Sequence, residues 1–104
     1  MKWGHAIDHN LPFTDVFNFS GETRHHVVLR IGVLTYNLLH EEYPRAAACL
    51  RRDDANHWIF EADVTSYLGI GRFAMGLMGD ISILSGDGLR DFLRRRAEEI
   101  LAKV

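Results

Sequence analysis

The sequence predicts an α+β fold of the ferredoxin-like βαββαβ type. This is an antiparallel sheet with its helices on one face, here with a C-terminal amphipathic helix added and an irregular N-terminal arm in front. Three observations predict it. Two segments, His25–Ile31 and His57–Val64, alternate at the period of a half-buried strand. Three other segments repeat apolar residues at helical spacing. Read from His25, the order is strand, helix, strand, strand, helix, strand, helix, and right-handed crossovers then place the first and third strands at the centre. Those are the two longest and most apolar strands.

Residues 1–24 show no sustained period. They hold a Pro12 break, the scattered aromatics Trp3, Phe13, Phe17 and Phe19, and a turn at Ser20-Gly21, and so read as an arm or linker. Four large aromatics exceed what a free tail carries, so the arm is expected to pack by individual anchors. Residues 25–104 form the folded domain. Its first strand points Val27, Leu29 and Ile31 to one side, and Gly32 closes it. From Val33, Tyr36, Leu39 and Tyr43 recur at helical spacing until Pro44 stops the helix. The apolar run Ala46 to Leu50 supplies the second strand, and Arg51 to Asn56 a polar hairpin turn.

In the third strand Trp58, Phe60, Ala62 and Val64 face one way, while Ile59, Glu61 and Asp63 face the other. Thr65 or Ser66 caps the second helix, whose stripe is Tyr67, Ile70, Ala74 and Leu77 and whose end is Gly79-Asp80. Ile81 to Leu84 is a short strand, and Ser85-Gly86-Asp87-Gly88 a turn. The last helix lines Leu89, Phe92, Leu93, Ile100, Leu101 and Val104 along one side.

The 104 residues suit one domain with a modest core. At 47% apolar and 25% charged the composition is ordinary for a globular protein, and no apolar run approaches a membrane span. The start, Met1-Lys2-Trp3-Gly4-His5, lacks the layout of a signal peptide. With Cys49 as the one cysteine, a reducing, cytoplasmic location is the expectation. Twelve basic residues against 14 acidic ones leave a net charge of -2, which argues against a domain that grips DNA by its phosphates.

No constellation demands catalysis. Gly69-Ile70-Gly71 opens like a dinucleotide fingerprint, but position 74 is Ala and the required third glycine is missing. Gly69 and Gly76, with Ala74 nearby, are instead expected to let the second helix approach a sheet or a neighbouring subunit closely, since with Gly71 they make three glycines that would otherwise weaken the helix. The six histidines show no metal-ligand spacing, and neighbours His25 and His26 must point to opposite faces of their strand. Cys49 follows three alanines, the setting of a small core residue rather than a nucleophile. In the basic run Arg94-Arg95-Arg96, Arg94 is expected to pair with Glu98 and Arg95 with Glu99 at i,i+4. Arg72, amid apolar neighbours, either snorkels to solvent or contacts a ligand or partner.

Five stretches stand in a suggestive order: Phe17-Asn18-Phe19-Ser20-Gly21-Glu22, then Val27 to Ile31, then Tyr67 to Leu77 with Gly69-Ile70-Gly71-Arg72-Phe73 inside it, then Gly79 to Leu84, and last Leu89-Arg90-Asp91-Phe92-Leu93. Together they resemble the C-terminal extension (WCX) domain of WYL-domain bacterial transcriptional regulators, over about residues 13–104. The resemblance implies a ferredoxin-like extension that follows a helix-turn-helix and a WYL domain, helps to hold a dimer and supports effector sensing. It also singles out Arg72 as a ligand or partner contact.

The chain has neither the helix-turn-helix nor the Trp-Tyr-Leu motif, nor the family's Pro-x-His-x-Ser-Gln stretch. The expectation is therefore a regulatory and dimerisation module, not an enzyme, without cofactor or metal, and touching neither nucleic acid nor membrane. A stand-alone small-molecule sensor on the same fold is the alternative.

Overall fold

The computed structural model describes residues 13–104. Its elements are β1 (Phe13–Thr14), β2 (Ser20–Gly21), β3 (His25–Ile31), α1 (Val33–Glu42), a 3-10 turn (Pro44–Cys49), β4 (Leu50–Asp54), β5 (His57–Val64), α2 (Tyr67–Met75), β6 (Ile81–Ser85) and α3 (Asp87–Lys103). The fold is α+β. β3 and β5 are paired antiparallel along the whole of β3, Val27 opposite Ala62 and Leu29 opposite Phe60. They occupy the middle of a four-stranded antiparallel sheet in the order β4-β5-β3-β6. These are the two strands whose alternation is cleanest in the sequence, because a central strand has one wet and one dry face and no free edge.

The dry face bears Val27, Leu29, Ile31, Phe60 and Val64. Against it pack Leu39 of α1, Ile70 and Ala74 of α2, and Leu89 and Leu93 of α3, all in one core. Trp58 continues the face, with Tyr36 of α1 stacked on its ring at 4.0 Å. The opposite face carries His26, Arg30, Glu61 and Asp63, all in ion pairs.

Four expectations need correction. The arm is not irregular throughout, since β1 and β2 form a small second sheet and Ser20-Gly21 is strand rather than turn. The chain reverses instead over Asp15–Asn18, with Asn18 at φ 69, a conformation asparagine tolerates better than most residues. The second strand is not the apolar run Ala46 to Leu50. After Pro44 the run from Ala46 to Cys49 coils into the 3-10 turn with Ala46 buried, and the strand begins at Leu50 and continues through the charged segment that follows. An edge strand needs little apolar content, and charge there discourages stray pairing. Finally, α2 ends at Met75, so Leu77 lies beyond it.

Two buried or half-buried aspartates hold these pieces together. Asp15 is fully buried, and its Oδ1 accepts from the backbone N–H of Phe17 and Phe19. Its Oδ2 accepts from the N–H of Thr65 at 2.9 Å, which ties the arm to the junction of β5 and α2. Asp80 repeats the device at the start of α1, accepting from the N–H and hydroxyl of Thr35. Gly32, the residue before α1, has no side chain to cap it, and Asp80 supplies the missing acceptor.

Candidate functional site

α2 is capped by Ser66, whose hydroxyl accepts from Leu68 N–H, and its glycines decide what lies on either side. A Cβ on Gly69 would stand 2.6 Å from Phe17 Cβ and 2.8 Å from the Phe19 ring, so this glycine admits the arm. A Cβ on Gly71 would collide with the Phe92 ring, so this one admits α3. The sequence counts Gly71 among three helix glycines with a packing reason, but its neighbour Phe92 lies 21 residues further along the chain and only the structure names it. Gly76 differs from both. It is exposed, and a Cβ there would have nothing within 4 Å, so it admits no neighbour within the described residues.

Where α2 meets α3 the two helices leave a groove of about 180 Å³, lined by Gly71, Arg72, Met75, Phe92, Arg96 and Ile100. Its floor is apolar and two guanidinium groups stand on its rim. Arg72 is exposed and forms no ion pair among the described residues. Arg96 reaches Glu99 at 3.3 Å. Such a groove has the chemistry to receive an apolar side chain or a small amphipathic anion.

The wet face of the sheet gathers a second cluster. His26 and His25 point to opposite sides: His25 lies against the Tyr67 ring, while His26 sits between Glu61 and Asp63. Its Nε2 is 2.7 Å from a Glu61 oxygen and its Nδ1 2.8 Å from an Asp63 oxygen. Arg51 reaches Glu61 from the edge strand at 2.8 Å. Carboxylates only accept, so the arrangement suits an imidazolium that donates from both nitrogens. The hydrogen bonds to Asp63 and then Glu61 raise the His26 pKa above its ordinary 6.5. Arg51 and His26 hold Glu61 below its ordinary range. From sequence Glu61 and Asp63 read as the solvent-facing half of a strand; only the β3–β5 register shows the histidine between them.

A pH dependence follows. A histidine raised on folding contributes stability that is complete below about 6.5 and lost as pH rises through its higher folded value. A glutamate lowered on folding contributes above its ordinary 4.5, and that is lost as pH falls through its folded value. The His26→Gln variant is therefore expected to melt slightly below the parent at pH 5.5 and together with it at pH 8.5. Paired melting curves across that range measure this, and an equal gap at both ends contradicts it.

Burial pushes the Cys49 thiol up, away from reactivity. Among the described residues no group of three or more His, Cys, Asp or Glu side chains is arranged to hold a metal ion. The two ring nitrogens of His26 point to different carboxylates and cannot converge on one ion with them. His5 and His9 lie outside the described residues. No helix of the described residues is long and apolar enough to cross a membrane. The i,i+4 pairs expected for Arg94 and Arg95 are replaced by i,i+3 contacts, Arg94 with Asp91 at 3.6 Å and Arg96 with Glu99. Comparison with family models, with curated proteins and with solved structures finds no match to this chain.

Proposed function

We propose that this chain is the C-terminal regulatory and dimerisation module of a WYL-type transcriptional regulator, on a ferredoxin-like fold. It works without catalysis and without touching DNA itself, in the cytoplasm, beside the WYL and helix-turn-helix domains of a longer chain. One observation carries the reading. The residues on which the resemblance rests interlock in space: Phe17 and Phe19 of the linker-like segment close on Gly69 of the Gly-Ile-Gly-Arg-Phe helix, and Gly71 of that helix receives Phe92 of the last one. Three short motifs scattered along a chain could agree by accident. Motifs that are each other's packing partners form one unit. The central placement of the first and third strands fits the same fold.

Light scattering on the purified chain is expected to give twice the monomer mass, and a gel shift with duplex DNA no retarded band at moderate salt. Strong, salt-dependent retardation of DNA by a monomer would overturn the proposal. The groove beside Arg72 favours a second reading, a stand-alone sensor of small molecules. A chain that stays monomeric while a small anion raises its melting temperature would favour that reading instead.

A further inference from the structure

The last helix is longer than the body that supports it. Leu89 and Leu93 are buried in the core, but every residue from Arg94 to Val104 is exposed. This projecting part is not a simple solvated end. At about 100° per residue, Leu93, Ala97, Ile100 and Val104 fall on one stripe, with Leu101 beside it. Ile100 is 49% exposed, Leu101 72% and Val104 95%. The apolar spacing predicts one continuous buried side on this helix, and the described residues leave its second half uncovered.

The charges around that stripe suggest what covers it. Three arginines, Arg94 to Arg96, precede Ala97, and Glu98 and Glu99 follow. The segment is thus close to antisymmetric in charge about a small residue. Two parallel copies in register would set arginine level with arginine. Two antiparallel copies crossing at Ala97 set arginine level with glutamate on both flanks. By helical position Arg94 shares a flank with Glu98, and Arg96 shares the other with Glu99.

Resting on the reading of this chain as a self-associating module, we propose that two copies pair through antiparallel α3 helices about a twofold axis near Ala97. Each stripe covers the other, with the partner's Glu98 against Arg94 and the partner's Glu99 against Arg96. The small Ala97 side chain lets the helices approach at the crossing. The same register brings the partner's Leu101 level with Leu93, beside the groove floored by Phe92 and Met75. One pairing thereby accounts for the uncovered stripe, the order of the charges and the open groove. An isologous contact of this kind closes after two copies.

The charge order makes the proposal testable by exchange. One variant of the full chain carries Arg94→Glu with Arg96→Glu, and a second carries Glu98→Lys with Glu99→Lys. Each alone sets like charges across the crossing, so its dimerisation constant in sedimentation equilibrium is expected to weaken about tenfold or more. An equimolar mixture restores opposite signs at every contact, and is expected to return to dimer mass. Circular dichroism melts of each variant check that the helix and core persist. A wild-type dimer indifferent to both variants, or a mixture that stays monomeric, overturns the α3 crossing while leaving self-association standing through another face. A wild-type chain monomeric at all concentrations overturns both.

Discussion

Replacing Asp15 by alanine is expected to destabilise the fold by about 3 kcal/mol, measured as a lowered midpoint in chemical denaturation. The side chain is 0% exposed, and three backbone N–H groups, those of Phe17, Phe19 and Thr65, donate to it. The methyl of alanine accepts nothing, so those donors are left unmatched in a site closed over by the arm. An unsatisfied buried donor costs about 1–3 kcal/mol, and the donors here share one acceptor group, so their losses do not simply add. A domain of this size has about 5–15 kcal/mol to lose. Asparagine at the same place keeps one acceptor oxygen but presents an amide N–H toward either Thr65 or the Phe17–Phe19 turn, so it should recover only part of the loss. A cost below about 1 kcal/mol for alanine would show that water enters and replaces the carboxylate, and that the arm is not held through Asp15.

The contrast between Asp15 and the strands shows what a sequence of this kind discloses. β3 and β5 are legible because alternation is a local signal, and a central strand repeats it over its whole length. β4 is not, since its residues are charged and its place comes from pairing Leu50 with Phe60 and Arg52 with Trp58. The apolar run before it looks more like a strand and is a 3-10 turn. Asp15 gives no signal at all: its partner Thr65 stands 50 residues away, and a lone aspartate in a segment without sustained period reads as solvated. The candidate site divides in the same way. Arg72 and Gly69 are visible as odd residues in an apolar helix, whereas the groove around Arg72 needs Phe92 and Ile100 from another helix. The uncovered half of α3 is hidden for a different reason. Its apolar stripe is as regular as a buried one, and only the length of the body beneath it decides how much is covered.

The glycines of α2 permit a second large test, with a control inside the same helix. Alanine favours a helix over glycine by up to about 1 kcal/mol, so each Gly→Ala change begins with a gain. At Gly76 nothing opposes it. The residue caps the helix with φ -80, a conformation alanine adopts freely, and the space beyond it is open. Gly76→Ala is expected to be neutral or slightly stabilising. At Gly69 the added carbon meets Phe17 Cβ, one bond from the backbone, and rotation of the ring cannot relieve that contact. Phe17 is itself fixed: its ring meets Tyr43 at 4.9 Å and Phe60 at 6.0 Å, and its N–H is bound to Asp15. The arm must therefore move as a body, which strains the Asp15 clamp. Gly69→Ala is expected to lose about 1–2 kcal/mol net, and Gly69→Leu about 3 kcal/mol or the docked arm altogether. Denaturation midpoints measure the first, and limited proteolysis near Phe13 to Phe19 the second. If Phe19→Ala fully restored Gly69→Ala, the ring alone would be the obstacle; partial recovery is expected, because the Phe17 contact remains. Equal effects at Gly69 and Gly76 would mean that α2 does not hold the arm, and the interlocking of motifs on which the functional proposal rests would lose its first link.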